Sequence, residues 1–286
     1  MNTNIDAIFN LLAGTARGWR GTGITARARK TPEKVLKLYD IEISPFCRLV
    51  REALCEMDLD VMILPCPAGG KRFRDEARKL LPGTKFPMLV DDNTGVVMNE
   101  SADIIDYLAK TYNSKLKSQQ GFGRKVAVGS SMLASSFQYR VGGFQGMKAR
   151  PSKAPAEPLV LYSFESSPYS KPVRARLCEL EIPYLLKNTP KGAMTDMGPP
   201  VFRDKLFKAP QGTTRNRAWL SENTGKVQVP YLIDPNTGVA MYESNDILSI
   251  LCRNPCAIVH ACYCSITFEY CSSDARVEQY TSRTIF

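Results

Sequence analysis

The sequence predicts an α/β protein that carries one βαβαββα unit twice. The first observation is a repeat, because residues 36–59 and 159–182 are identical at 11 of 24 positions and residues 84–108 and 227–251 at 13 of 25. The second is that short apolar runs alternate with segments of helical periodicity inside each copy. At 286 residues, the chain is long enough for two domains with separate cores.

The first copy, residues 35–112, is called unit 1. Val35 to Tyr39 predicts a strand, and Ser44 and Pro45 then occupy the N-cap and first position of an amphipathic helix. The later elements are expected as a strand at 61–64, a polar helix at 71–81, a strand at 86–90, a hairpin turn at 92–95, a returning strand at 96–98 and a closing helix from Ser101 to about Tyr112.

The second copy, residues 159–251, is called unit 2 and repeats this order. The distance from Ser44 to Pro87 is 43 positions, whereas that from Ser167 to Pro230 is 63. The 20 additional residues fall within 193–226, which predicts a surface loop that ends in a short helix near Trp219.

Three segments lie outside the units. Residues 1–34 form a basic leader, in which residues 1–30 contain one acid, Asp6, and two interpretations stay open: an organelle transit segment, or a leader that remains from a longer N-terminal region. Residues 113–158 are basic and rich in Gly, Ser and Pro, which predicts a linker with one short helix near 126–137. Residues 252–286 form a Cys-rich tail in which the repeat pattern ends.

Composition excludes several classes of protein. No run approaches 18 apolar residues, so no transmembrane segment is expected. The formal net charge is +10, but the basic residues are scattered and no nucleic-acid motif accompanies them, so nucleic-acid binding is disfavoured. Cys55 and Cys178 occupy matching helical positions, which favours buried apolar thiols in a reducing compartment over disulfides.

The tail contains the single histidine, His260, among cysteines. The spacings Cys252-x3-Cys256 and Cys262-x-Cys264 match no standard zinc site, so no metal is expected. The favoured interpretation is a tail without a packing role, for which an altered reading frame or splice event is one source.

Three motifs that occur in the same order in both units point to a known fold. They are a Ser-Pro-aromatic-(Cys/Ser) turn before the first helix, a proline at the start of the third strand, and Glu-Ser at the start of the last helix. The unit resembles the thioredoxin fold, and most closely glutaredoxins and the N-terminal domain of glutathione S-transferases. The tandem arrangement resembles plant, algal and bacterial proteins with two such domains, which are often plastid-directed in plants. The all-α second domain of true transferases is not evident.

The resemblance implies a glutathione site in unit 1. Ser44 stands where glutaredoxins carry the nucleophilic cysteine and where Ser-type transferases carry the hydroxyl that stabilises the thiolate, and Cys47 stands at the resolving position. Pro87 matches the cis-proline, next to Phe86, whose backbone would pair with the cysteinyl part of glutathione. Glu100 and Ser101 match the pair that holds the γ-glutamyl end. The counterparts in unit 2 are Ser167, Ser170, Val229, Pro230, Glu243 and Ser244.

The physical chemistry of these positions agrees with that implication. Thiolates and carboxylates are stabilised at helix N-termini by free N–H groups and the helix dipole. Each residue also has a plain interpretation: Ser44 and Ser101 as N-caps, Pro87 as a strand boundary, and Glu100 as a solvated charge. Without a cysteine at 44 or 167, two-cysteine disulfide exchange cannot run in either unit.

Two functions follow as expectations. The first is a glutathione-linked protein with transferase-like or monothiol redox activity at the Ser44 turn. The alternative is a non-catalytic tandem module that binds or scaffolds. The expected ligands are glutathione or another thiol-containing small molecule or peptide, a protein partner is also considered, and the expected location is the chloroplast or otherwise the cytoplasm.

Overall fold

The computed structural model describes residues 3–140, 143–193, 196 and 212–253. The elements up to residue 136 are α1 (Thr3–Ala16), β1 (Leu36–Asp40), α2 (Pro45–Glu56), β2 (Val61–Pro65), α3 (Arg72–Leu80), β3 (Met88–Asp91), β4 (Val96–Asn99), α4 (Ser101–Thr111) and α5 (Gly121–Ser136). The elements after it are β5 (Tyr139–Arg140), β6 (Gly143–Phe144), β7 (Leu159–Ser163), α6 (Ser170–Glu179), β8 (Tyr184–Asn188), α7 (Arg215–Thr224), β9 (Tyr231–Asp234), β10 (Val239–Met241) and α8 (Ser244–Arg253). The predicted fold class, two βαβαββα units, is confirmed.

The two units share one eight-stranded sheet. Its strand order is β10-β9-β7-β8-β2-β1-β3-β4, so each unit contributes four consecutive strands. Within a unit the first two strands are parallel, the third is antiparallel to the first, and the fourth is antiparallel to the third. The units meet where β2 and β8 pair antiparallel, with Met62 opposite Leu185. Because β2 and β8 are counterparts in the repeat, this edge pairing covers the same edge of both units and relates them by an approximate twofold axis.

The first helix of unit 1 begins where the sequence predicts. Ser44 has extended backbone dihedrals, and its hydroxyl accepts a hydrogen bond from the Cys47 N–H at 3.4 Å, while Pro45 occupies the first turn. The first helix of unit 2 begins two residues later in the repeat, at Ser170, because Pro168 and Tyr169 form a turn.

The segment treated as a linker contains a longer helix than the sequence indicates, and the leader also contains one. Helix α1 packs on α5, and α5 packs on α2 of unit 1. A short loop after each helix, which we call a strap, then runs between the units: Gly18–Ile24 after α1 and Gly143–Ala149 after α5. The strap backbones pair with the opposite unit, since the Lys191 N–H donates to Thr22 O at 2.8 Å and the Ala68 N–H donates to Met147 O at 2.7 Å.

The longer spacing in unit 2 lies before helix α7. This helix occupies the place of α3, and Trp219 stacks on Tyr162 of β7 with ring centroids 4.9 Å apart. Residues 197–211 of the insertion and 254–286 of the tail lie outside the described residues. The expectations about the tail, including His260 and four of its cysteines, therefore remain predictions.

Candidate functional site

Sheet register gathers the predicted site residues of unit 1 at one end of the sheet. Tyr39, next to the last residue of β1, lies opposite Met88, the first residue of β3, and Met88 also lies opposite Asn99, the last residue of β4. The Ser44 turn follows β1, Phe86 and Pro87 precede β3, and Glu100 and Ser101 follow β4. The three motifs predicted from sequence therefore meet at this end.

The Phe86–Pro87 peptide bond is cis, as is its counterpart Val229–Pro230. Glu100, at the N-cap of α4, has a φ of 72°, and Glu243 in unit 2 has a φ of 63°. A glutamate adopts this left-handed region only at a cost of roughly 1–3 kcal/mol, and such residues concentrate at ligand sites. The paired occurrence shows that this backbone geometry is a property of the unit.

Ser101 begins helix α4 and is fully buried, yet its hydroxyl has no hydrogen-bond partner within the described parts of the chain. The Glu100 side chain also makes no capping hydrogen bond to α4. A buried hydroxyl without a partner is costly, and a helix N-terminus favours anions. The N-terminus of α4 therefore has the chemistry to accept a carboxylate.

The two predicted catalytic residues of unit 1 differ in access. Ser44 is half-buried, so its hydroxyl lies near the surface at the N-terminus of α2. Cys47 is fully buried, and its Sγ accepts a hydrogen bond from the Ile41 N–H at 3.4 Å. Burial raises the pKa of the Cys47 thiol well above its usual value. Since the thiolate is the nucleophile, this environment disfavours thiol chemistry at Cys47.

The corresponding turn in unit 2 is closed. Ser167 is 1% exposed, and its hydroxyl accepts hydrogen bonds from the Ser170 N–H at 3.3 Å and the Ser170 hydroxyl at 2.9 Å. Glu243, at the other end of the site, accepts a hydrogen bond from Gln228 at 2.6 Å. The side chains of Ser167 and Glu243 thus have hydrogen-bond partners within unit 2 itself.

Helix α1, which precedes unit 1, lies over the serine turn of unit 2, and helix α5, which precedes unit 2, lies over the serine turn of unit 1. The Asn10 side chain in α1 donates to Pro168 O at 3.0 Å, and the Ser131 hydroxyl in α5 donates to Pro45 O at 2.8 Å. In addition, the Thr22 hydroxyl of the first strap bonds the Ser166 hydroxyl, directly before Ser167. Unit 2 is consequently covered by a helix and a strap at its turn.

A buried charge network lies under both turns and joins the units. Arg51 in α2 donates to Asp40 at 2.6 Å and to Glu165 of unit 2 at 3.0 Å. Its counterpart Arg174 in α6 lies 3.1 Å from Glu42 of unit 1 and 3.1 Å from Glu165. The four side chains Arg51, Arg174, Glu42 and Glu165 are all fully buried. Glu42 and Glu165 each precede the turn serine by two residues, so the network fixes the position of both turns.

The pKa values of the network show which charges are compensated. Burial alone would raise the pKa of Glu165, but Arg174 and Arg51 outweigh burial and lower it to about 2. Burial raises the pKa of Asp40 to about 6, although Arg51 acts in the opposite direction. Glu165 is therefore a carboxylate of the network whose negative charge is stabilised by both arginines.

Arg48 in α2 and Lys171 in α6 are counterparts in the repeat. They precede Arg51 and Arg174 by three residues, and both are buried. Arg48 donates to Gln138 at 2.6 Å, whereas its Nε and Nη1 have no partner in the described residues. Burial, followed by repulsion from Arg48, lowers the pKa of Lys171 to about 7. These two cations lie between the units without full compensation.

A shallow surface cleft opens between α2, α4 and the start of α5. It is lined by Arg20, Lys117 and Arg124 around an apolar floor that includes Leu49 and Ile105. It contains none of the predicted glutathione-site residues. In the described part of the chain, no group of His, Cys, Asp or Glu side chains is arranged to hold a metal ion, and no helix is long and apolar enough to cross a membrane.

Comparison with known families identifies the domain. A family model described as the glutathione S-transferase N-terminal domain matches residues 38–116 and 161–256, which together exceed half of the chain. The chain belongs to this family. The two matches correspond to units 1 and 2, so the domain occurs in tandem. No match was found among curated proteins or among solved structures.

Sequence reasoning missed the straps and the charge network. The Gly18-Trp19-Arg20-Gly21 and Gly143-Phe144-Gln145-Gly146 tetrapeptides are related, and Gly21 and Gly146 have φ values of 70° and 73°. Gly21 and Gly146 donate to Glu56 and Glu179, which are also counterparts. The signal for the network was the identity of Glu and Arg at matching places in both units.

Proposed function

We propose that this protein binds glutathione, or a related thiol-containing peptide, at the Ser44 end of unit 1. The observation that carries the proposal is the Ser101 hydroxyl, which is buried without a partner at the N-terminus of α4, beside Glu100 in its left-handed conformation. A bound γ-glutamyl carboxylate would supply an acceptor for Ser101 and for the free N–H groups of α4. Family membership supports the choice of glutathione.

The same site supports a transferase-like role better than thiol exchange. The Ser44 hydroxyl can donate a hydrogen bond to the thiolate of a bound glutathione, which then attacks an electrophile as its leaving group departs. Cys47 is buried with a raised thiol pKa, and no cysteine stands at 44. Unit 2, with its closed turn, supports the fold and not a second binding site.

Calorimetric titration of the full chain with glutathione tests the binding proposal. We expect saturable binding in the wild type, binding weakened at least about tenfold in Ser101→Ala through loss of one hydrogen bond to a charged group, and no change in the matched control Ser244→Ala. Absence of saturable binding in the wild type contradicts the proposal, as does equal loss in both variants.

A second measurement separates an enzyme from a non-catalytic module. With glutathione and an aryl halide, Ser44→Ala should lower turnover while leaving glutathione binding nearly unchanged, and Cys47→Ser should leave both unchanged. Binding without turnover would favour the module, to which the complete burial of the unit 2 turn also points. A plastid location is a separate proposal, which a fluorescent fusion of residues 1–34 can test.

A further inference from the structure

Helix α1, which precedes unit 1, buries polar residues and exposes apolar ones, whereas an ordinary surface helix does the reverse. In α1, Asn10 is 1% exposed and Asp6 is also buried, whereas Ile8 is 57% exposed and Leu11 and Leu12 are exposed as well. Asn10 faces inward because it bonds Pro168 O of unit 2. Buried polar residues together with exposed large apolar ones are the combination that calls for an explanation.

Helix α5 shows the same inversion. Its small residues Ser131, Ala134 and Ser135 are buried, while Met132 and Leu133 are exposed, as are Phe122 and Val126 one to three turns earlier. The exposed positions recur at helical spacing and form one stripe along the helix.

The two helices pack against each other, and Arg17, just after α1, donates to Ala127 O of α5 at 3.0 Å. Both helices carry exposed apolar residues, which together we call the α1/α5 face: Ile8, Leu11, Leu12, Phe122, Val126, Met132 and Leu133. An apolar surface of this extent on a water-soluble domain marks an interaction site.

The exposed charges that α1 and α5 themselves carry have one sign, whereas the exposed Asp106 of α4 accepts hydrogen bonds from Ser118, before α5. The single acid in α1 and α5 is Asp6, which is buried, and the exposed or half-exposed charges of α5 are Arg124 and Lys125. Lys115 and Lys117 are exposed just before α5, and Trp19 is exposed at the end of α1. An uncharged apolar face with a cationic edge and a tryptophan at its border matches a helix that lies in a membrane interface.

We infer that the α1/α5 face docks the protein on an anionic lipid surface. The apolar side chains of both helices enter the boundary between headgroups and acyl chains, while Lys117, Arg124 and Lys125 meet the lipid phosphates. A second copy of the chain fits the face less well, because α1 and α5 carry no exposed acid to pair with the same cations of the partner helices. The inference is independent of glutathione binding.

Vesicle flotation of the full chain tests the inference. We expect binding to vesicles of equal parts phosphatidylglycerol and phosphatidylcholine, and at least about tenfold weaker binding to phosphatidylcholine alone. The double variant Leu12→Glu/Leu133→Glu should abolish binding to both. The matched control is Leu80→Glu, at a residue 47% exposed on α3, which should bind as the wild type does.

Two further measurements complete the test: the emission of Trp19 and the binding of two charge variants. In Trp219→Phe, Trp19 is the remaining tryptophan, and its emission should shift to shorter wavelength on anionic vesicles and not with free phosphate. Each of Lys117→Gln and Arg124→Gln should weaken binding roughly fivefold. The inference is overturned if the wild type does not bind vesicles, if the double variant binds normally, or if light scattering shows self-association that the double variant removes.

Discussion

Ser44 in unit 1 is half-buried, whereas its counterpart Ser167 in unit 2 is completely buried and bonded to Ser170. The Ser101 hydroxyl in unit 1 is buried without a partner in the described residues, whereas its counterpart Ser244 in unit 2 is half-buried. The two units have the same strand order, cis-prolines and left-handed glutamates. Their difference lies in what surrounds the turn, which is the basis of the proposal that unit 1 binds a ligand and that unit 2 does not.

The largest expected effect comes from the network that the units share. Arg51→Met should lower the free energy of unfolding by about 3–5 kcal/mol, because Asp40 and Glu165 then stay buried without their partner. Arg174→Met should have an effect of similar size, because Arg174 is the counterpart of Arg51 and pairs with Glu42 and Glu165. Urea unfolding measures both, with the exposed Arg78→Met as the control, which should change stability by less than about 0.5 kcal/mol. A small effect of Arg51→Met would show that the network does not hold the units together.

The next largest expected effect is the change in stability on replacing Lys171, whose counterpart in unit 1 is Arg48. Lys171→Met should raise the free energy of unfolding by roughly 2 kcal/mol near neutral pH, since charging this buried amine costs stability. The pKa of Lys171 is about 7 when folded and 10.5 as the ordinary value, so the unfolded state binds more protons between these pH values and wild-type stability rises with pH there.

The gain from Lys171→Met should accordingly be greatest below pH 7 and disappear above about pH 10.5. Urea unfolding across this pH range, compared with Arg48→Met, provides the measurement. A pH-independent difference between Lys171→Met and the wild type would contradict the expectation.

A smaller effect concerns the left-handed glutamates. Glu100→Gly and Glu243→Gly should each stabilise the protein by about 1 kcal/mol, because glycine adopts a positive φ without strain. Only Glu100→Gly should weaken glutathione binding, by about tenfold, since only unit 1 is proposed to bind it. Thermal unfolding and calorimetry on the same samples check this pair, and equal effects on binding would remove the distinction between the units.

The last comparison concerns the turn serines, for which the expected difference between the two units is about 1 kcal/mol. Ser44→Ala should cost about 1 kcal/mol through loss of the α2 N-cap. Ser167→Ala should cost about 1 kcal/mol more, because the buried Ser170 hydroxyl then loses its acceptor. Urea unfolding of the two variants provides the comparison, and the reverse order would indicate that the unit 2 turn is not the more firmly held one.

The sequence by itself determined the fold of each unit and the residues of the three motifs that meet at one end of the sheet in that unit. The strand periodicity, Ser44 and Pro45 at a helix start, and the repeated Pro and Glu-Ser motifs are local features, so their structural consequences can be derived from neighbouring residues. The start of α6 was placed less well, because the Pro168–Tyr169 turn delays the helix by two residues.

Only the tertiary structure decided how the two units are joined and which turn stays accessible. The edge pairing of β2 with β8, the crossing of α1 and α5 over opposite turns, and the Arg51–Glu165 pair all join residues more than 80 positions apart. No local pattern specifies such contacts, since burial of Ser167 depends on a helix and a strap from the far end of the chain. The outward apolar face of α1 has the same origin, because its polar residues are needed against unit 2.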